Sequence, residues 1–257
     1  GFDTLVIPLL IPHLQSFLWW LGDPDPADPA LRSLVAICDR LIIDSAMGGP
    51  ERLSPLSSAL VAPAGGRGAV LGDMAWTRLE GYREALARIF DEGGRQRYLD
   101  GLAEVELTTP RRARDPLGSS ELLLAGWLAS RLGYSRPMPA PGGVSLETAG
   151  GARVGFHFAA SRRASDLPIV GVRIAGRAGR RQLEVTLTEE RGAWTLRTEE
   201  TGVEPQHRRL PLAPLDQTEA LSRELARMGR DRVYEDALQL AARIEAVLPA
   251  GGGRSPG

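Results

Sequence analysis

The chain has 257 residues, 43% of them hydrophobic and 25% charged, enough for a sizeable core in one large domain or two small ones. Against 31 basic residues stand 32 acidic ones, a net charge of -1, which offers neither a nucleic-acid stripe nor an acidic substrate funnel. Every basic residue other than histidine is Arg, and Lys and Asn are absent, so Schiff-base chemistry, a phosphate-loop lysine and asparagine-assisted catalysis are all excluded.

The apolar opening, Thr4-Leu5-Val6-Ile7-Pro8-Leu9-Leu10-Ile11-Pro12, is broken by two prolines and has neither a basic leader nor a small-residue cleavage site. It predicts neither a signal peptide nor a membrane span. Because the chain opens with Gly rather than Met, its N-terminus reads as trimmed.

Short apolar runs then alternate with helical patterns as far as residue 136. This predicts an N-terminal Rossmann-like α/β domain over 1–136, a mainly parallel sheet with flanking helices. The expected strands are 4–10, 16–20, 40–43, 69–71 and 103–107. One expected helix is announced by Asp28-Pro29, an N-cap acid followed by proline in the first turn. Another runs over 75–91, with Leu79, Tyr82, Leu86, Ile89 and Phe90 on one face, and stops at Gly93-Gly94. A third spans 119–132 and stops at Gly133.

Residues 137–143, Pro-Met-Pro-Ala-Pro-Gly-Gly, read as a linker by composition. From 144 to 249 the pattern changes to period two, as in Gln182-Leu183-Glu184-Val185-Thr186-Leu187, and predicts an antiparallel β domain with one wet face. Two amphipathic helices, 216–228 and 231–248, close it, and 250–257 reads as a disordered tail. The fold class expected is therefore α/β plus α+β.

Three of the five Trp residues sit in two short segments, Phe17-Leu18-Trp19-Trp20-Leu21-Gly22-Asp23 and Asp73-Met74-Ala75-Trp76-Thr77-Arg78-Leu79, each beside a carboxylate. Large amphipathic rings at the ends of elements suit either a docking surface or the rim of a core. The predicted parallel strands end in Gly22-Asp23, Asp44-Ser45, Gly72-Asp73 and Thr108-Thr109, at the edge where open α/β sheets bind ligands. Asp44 and Asp73 are equally good N-caps for the helices that follow. The same edge carries the alternative reading, a sugar-phosphate or nucleotide sensor or enzyme in which Asp23, Asp44 and Asp73 act with Arg78 as counter-charge.

No convincing catalytic group emerges. His13, His157 and His207 are scattered, no Gly-x-Ser-x-Gly elbow occurs, and Gly65-Gly66-Arg67-Gly68 precedes its strand instead of following one. The single Cys38 lies in an apolar run and reads as an inert thiol, with a cytoplasmic location as the default. No catalytic, metal or cofactor-binding residue is assigned.

Taken in order, Pro8-Leu9-Leu10-Ile11-Pro12 leading into Trp19-Trp20-Leu21-Gly22-Asp23-Pro24, then Asp39-Arg40-Leu41-Ile42-Ile43-Asp44-Ser45, then Asp73-Met74-Ala75-Trp76-Thr77-Arg78-Leu79 with Tyr82-Arg83, resemble the glucose-6-phosphate dehydrogenase assembly protein family, OpcA. The resemblance continues through 124–133, 221–225 and 233–238 and so covers nearly the whole chain. Departures are Tyr82 where the family usually has Trp, His13 where it has an acid, and a single Cys, which cannot form an intramolecular redox switch. The resemblance implies a non-catalytic partner that binds glucose-6-phosphate dehydrogenase, promotes its active oligomer and raises its activity. On that basis Trp19, Trp20, Asp23, Asp73, Trp76, Arg78 and Arg83 are the candidate partner-binding residues, with neither nucleic acid nor membrane as a partner.

Overall fold

The computed structural model describes residues 2–11, 13–48, 53–59, 69–112, 115–163 and 165–248. The Gly65-Gly66-Arg67-Gly68 loop and the expected tail at 250–257 lie outside the described residues.

A helix, α1 (Phe2–Val6), and a 3-10 turn (Ile7–Leu9) open the chain where a strand was expected. Pro8 explains the difference: it has no N–H to give a ladder, and it fits the first turn of a helix. Next come β1 (Phe17–Trp19), α2 (Pro29–Val35), β2 (Arg40–Ile43), α3 (Leu53–Ala59) and β3 (Val70–Asp73). Asp28 caps α2 as expected, its carboxylate accepting from the Ala30 N–H at 2.8 Å. Strands β1, β2 and β3 form a three-stranded parallel sheet in that order.

The expected helix over 75–91 is two helices, α4 (Met74–Arg78) and α5 (Glu80–Asp91), separated at Leu79. The regular helix stops at Asp91, and Gly93 and Gly94 both take positive φ in the 3-10 segment that follows. Strand β4 (Leu102–Thr109) was expected in the parallel sheet but lies elsewhere. Its Val105 and Leu107 are buried while Glu104 and Glu106 are half-buried. That alternation suits a sheet with one polar face, so β4 enters the larger sheet.

After α6 (Ser119–Arg131), the residues expected as a linker form β5 (Ser135–Ala140) and the turn into β6 (Gly143–Glu147). Prolines are tolerated in β5 because it is an edge strand, whose outward N–H groups have no ladder partner. The remaining strands are β7 (Arg153–Ala160), β8 (Gly171–Ala178), β9 (Arg181–Glu190), β10 (Ala193–Glu200) and β11 (Gln206–Leu210). The large sheet runs β11-β10-β9-β8-β4-β7-β6-β5, antiparallel throughout except for the parallel pair β4 and β7.

Two helices, α7 (Gln217–Ala226) and α8 (Arg232–Val247), close the described chain, each capped by an aspartate. Helix α8 packs along α6 and α3, and α7 packs against α4. One buried apolar cluster runs from Leu31 and Leu41 through Trp76, Leu124 and Phe156 to Leu187 and Ile244, joining both sheets. The fold is thus mixed α/β: a small parallel sheet, a larger mixed sheet and helices that bind the two together.

Candidate partner interface

The seven candidate residues fall into two groups that face different surroundings. Asp73, Trp76, Arg78 and Arg83 belong to a polar lattice under α7 and α8. Trp19, Trp20 and Asp23 stand at and just beyond the end of β1.

Asp73 is 0% exposed. One of its oxygens accepts from the N–H groups of Ser45 and Ala75, each at 3.0 Å, and the other accepts from the Tyr234 hydroxyl at 3.1 Å. Burial, the leading cause, and the nearby Asp44 push its pKa up to about 6, against the pull of those hydrogen bonds. Asp73 therefore caps α4, as the sequence suggested, and at the same time ties β3 to α8.

Trp76 is 1% exposed. Its Nε1–H donates to Asp231 Oδ2 at 3.0 Å, while Oδ1 of the same aspartate caps α8 through the Tyr234 N–H. The Arg83 guanidinium lies 3.4 Å from the Trp76 ring centroid and donates to the Trp76 carbonyl at 2.7 Å. Burial lowers the Arg83 pKa to about 10, which leaves it charged at neutral pH. The Tyr234 ring packs 5.5 Å from that of Trp76.

Arg78 forms a two-pronged pair with Asp44, at 2.9 and 2.8 Å, while Asp44 also caps the 3-10 turn Ser45–Met47. Beneath this, Arg40 and Glu224, each 1% exposed, are paired at 2.6 Å, and Thr77 donates to the other oxygen of Glu224. Arg40 also donates to the Gly229 carbonyl.

The carboxyl edge of the parallel sheet is consequently filled by its own side chains. Among the described residues, Asp44 and Arg78 hold each other and Asp73 is sealed beneath α8. Among the described residues, no group of three or more His, Cys, Asp or Glu side chains could hold a metal ion. Burial also removes Asp73 and Trp76 from direct reach of a partner.

Sequence reasoning passed over Glu224, Asp231 and Tyr234, the three residues that complete the lattice from the C-terminal helices. One signal was available for Glu224. It lies four residues after Ala220 on the same helix face, and Ala220 is fully buried. An acid on an inward stripe requires a buried cation, and Arg40 begins the apolar run Leu41-Ile42-Ile43.

The exposed group is different in kind. Trp19 is 38% exposed; Trp20 is half-buried, packing against the core, with its Nε1–H 3.4 Å from the Asp23 carbonyl. Phe17, Leu21, Leu14 and Ile11 are exposed nearby in sequence. Apolar surface on the described part of the molecule is concentrated there.

Residues 69–238 match a family described as the C-terminal domain of the glucose-6-phosphate dehydrogenase subunit, and residues 2–58 match the corresponding N-terminal domain. The chain belongs to this family. Family relatives include a protein of Nostoc punctiforme named "Putative OxPP cycle protein OpcA", 35% identical over 133 residues, which is 50% of this chain and 26% of the relative. A protein of the same name from Synechocystis sp. is 23% identical over 96% of this chain and 53% of the relative. The chain thus spans about half or less of the length of the curated relatives it matches.

A solved structure of a Bacillus subtilis protein, described as "putative oxidoreductase yvaA", superposes with a TM-score of 0.53 over 95% of this chain and 80% of that one, at 11% identity. At that identity the likeness concerns the fold alone.

Among the described residues, no helix is long and apolar enough to cross a membrane.

Proposed function

We propose that this chain is a non-catalytic assembly factor and activator of glucose-6-phosphate dehydrogenase, working in the cytoplasm within the oxidative pentose phosphate pathway. The observation that carries the reading is the match of residues 2–58 and 69–238 to the two domains of a family described as a subunit of that enzyme. The names of the relatives, which refer to the OxPP cycle, support it further. Consistent with a binding role, the ligand edge of the parallel sheet is occupied by the Asp44–Arg78 pair and by Asp73 with Tyr234.

An activator of this kind acts by binding the competent form of the enzyme better than the incompetent one. A tenfold preference corresponds to about 1.4 kcal/mol, within reach of one or two well-packed aromatic anchors. Of the candidate contacts, Trp19, Trp20 and Asp23 supply the docking surface, while Asp73, Trp76, Arg78 and Arg83 hold the scaffold behind it.

The test mixes the purified protein with the dehydrogenase from the same organism. Co-elution on size exclusion and a change in the substrate dependence of the rate are expected. Absence of both a complex and a kinetic change refutes the function.

A further inference from the structure

We propose that α7 is a strap over the small parallel sheet, seated chiefly by one ion pair, and that it lifts as a unit while α8 stays in place. The protein then has a closed and an open form. This property belongs to the chain itself and stands whether or not the dehydrogenase is its partner.

The last two helices are held in different ways. Helix α8 buries seven side chains, from Tyr234 to Ile244, all of them within the main apolar cluster. Helix α7 buries only Ala220 and Glu224. Among the described residues, none from α7 joins the main cluster, and Ala220 sits with Ile42, Met74 and the partly buried Leu221 in a small separate one. Leu225 is 44% exposed and adds nothing to this seat. Because apolar burial is the main source of local stability, a helix with so little of it opens at a lower free energy than its neighbour.

The rest of the seat is polar. Glu224 pairs with Arg40 and accepts from Thr77, and Arg40 donates to the Gly229 carbonyl at 3.1 Å. At the rim, Arg223 and Arg227 both donate to Glu80, at 2.7 and 3.3 Å, and such partly exposed pairs contribute little. The attraction within a buried ion pair is largely offset by the hydration that both partners lose. Lifting α7 returns water to Arg40 and Glu224 together, so neither charge is left buried alone.

The strap is fastened at both ends. Before α7, Leu212 packs against the main cluster; after it, Asp231 accepts from the Trp76 indole at 3.0 Å and Tyr234 donates to Asp73 at 3.1 Å. Between these anchors and the helix lie residues 213–215, with Pro214, and 227–230, where Gly229 takes a φ of 74°, and neither stretch has regular structure. These are the hinges. Rotation about them would bring Arg40, Ile42, Met74 and Thr77 into contact with water and leave α8 seated. A ligand that binds the open form better would shift the population toward it.

Native-state amide hydrogen exchange of the purified chain, followed residue by residue at low denaturant concentrations, tests the strap. Amides 221–226 of α7 are expected to share one opening free energy, to exchange about a hundredfold faster than amides 238–244 of α8, and to respond less steeply to denaturant. The paired change Arg40→Met with Glu224→Leu, which replaces the ion pair by apolar packing, is expected to narrow the gap between the two helices about tenfold. Amides of α7 that exchange with the rate and denaturant response of α8 overturn the strap, because the two helices then open together. Rates in α7 that rise smoothly from its middle to its ends, with no shared value, also overturn it, since they report fraying. An unchanged gap in the paired variant overturns the ion pair as the weak part of the seat. Because the first measurement uses the wild-type protein, the outcome does not depend on whether the variant folds.

Discussion

Asp73 is a carboxylate with no contact with solvent, and its proton equilibrium reports on folding. Its folded pKa of about 6 lies above the ordinary value of 3.8, so between these limits the folded chain holds a proton that the unfolded chain has lost. Its contribution to stability is full below about pH 4 and is lost as the pH rises through about 6. Denaturant unfolding across this range is expected to show that decline in wild type and to lose this component in Asp73→Asn.

Arg40 and Glu224 behave differently, because removing one partner strands a buried charge. Glu224→Ala is expected to lower stability by about 3–5 kcal/mol, while the double change Arg40→Met with Glu224→Leu recovers most of it. Urea midpoints of the single and double variants check this. Cys38 is pushed up to about 11, by burial first and by the neighbouring Asp39 second. Its alkylation at pH 8 is expected to be far slower than that of a free thiol, readable by mass spectrometry.

At the level of elements, much was legible because it is local. Asp28 and Asp73 cap their helices, Gly93 and Gly94 follow the end of α5, and the alternation of Leu183, Val185 and Leu187 marks a half-buried strand. The failures came where one local signal has two structural uses. Proline-rich residues 137–141 suit a linker and an edge strand equally, and the apolar run at 4–10 suits a strand until Pro8 is weighed. The candidate site was half legible. The Trp-bearing segments were found, but their partners in α7 and α8 lie 155 to 161 residues away for Trp76 and Asp73, beyond any periodicity. The close approach of α6 to α8 was equally hidden. A Cβ on Gly126 would collide with the Ala237 carbonyl and lie 2.8 Å from the Ala241 N. Gly126→Ala is therefore expected to destabilise by about 1–3 kcal/mol despite its better helix propensity, measured as a fall in the thermal midpoint.

For the whole molecule, the placement of β4 between β7 and β8 and the docking of α7 and α8 onto α4, α3 and α6 pack the two halves of the sequence around one apolar cluster. A chain ending at residue 215 would retain both sheets in sequence but lose Glu224, Asp231 and Tyr234. It is expected to show no cooperative unfolding transition by circular dichroism, in contrast to the full chain.

The pairing of Arg40 with a glutamate 184 residues downstream also sets a clock for synthesis. At about 5–20 residues per second, roughly 10–40 s separate the emergence of the two residues from the ribosome. Through that interval the small parallel sheet has no mate for its buried cation. The contacts that hold Asp73 and Trp76 therefore close only when the last two helices have been made.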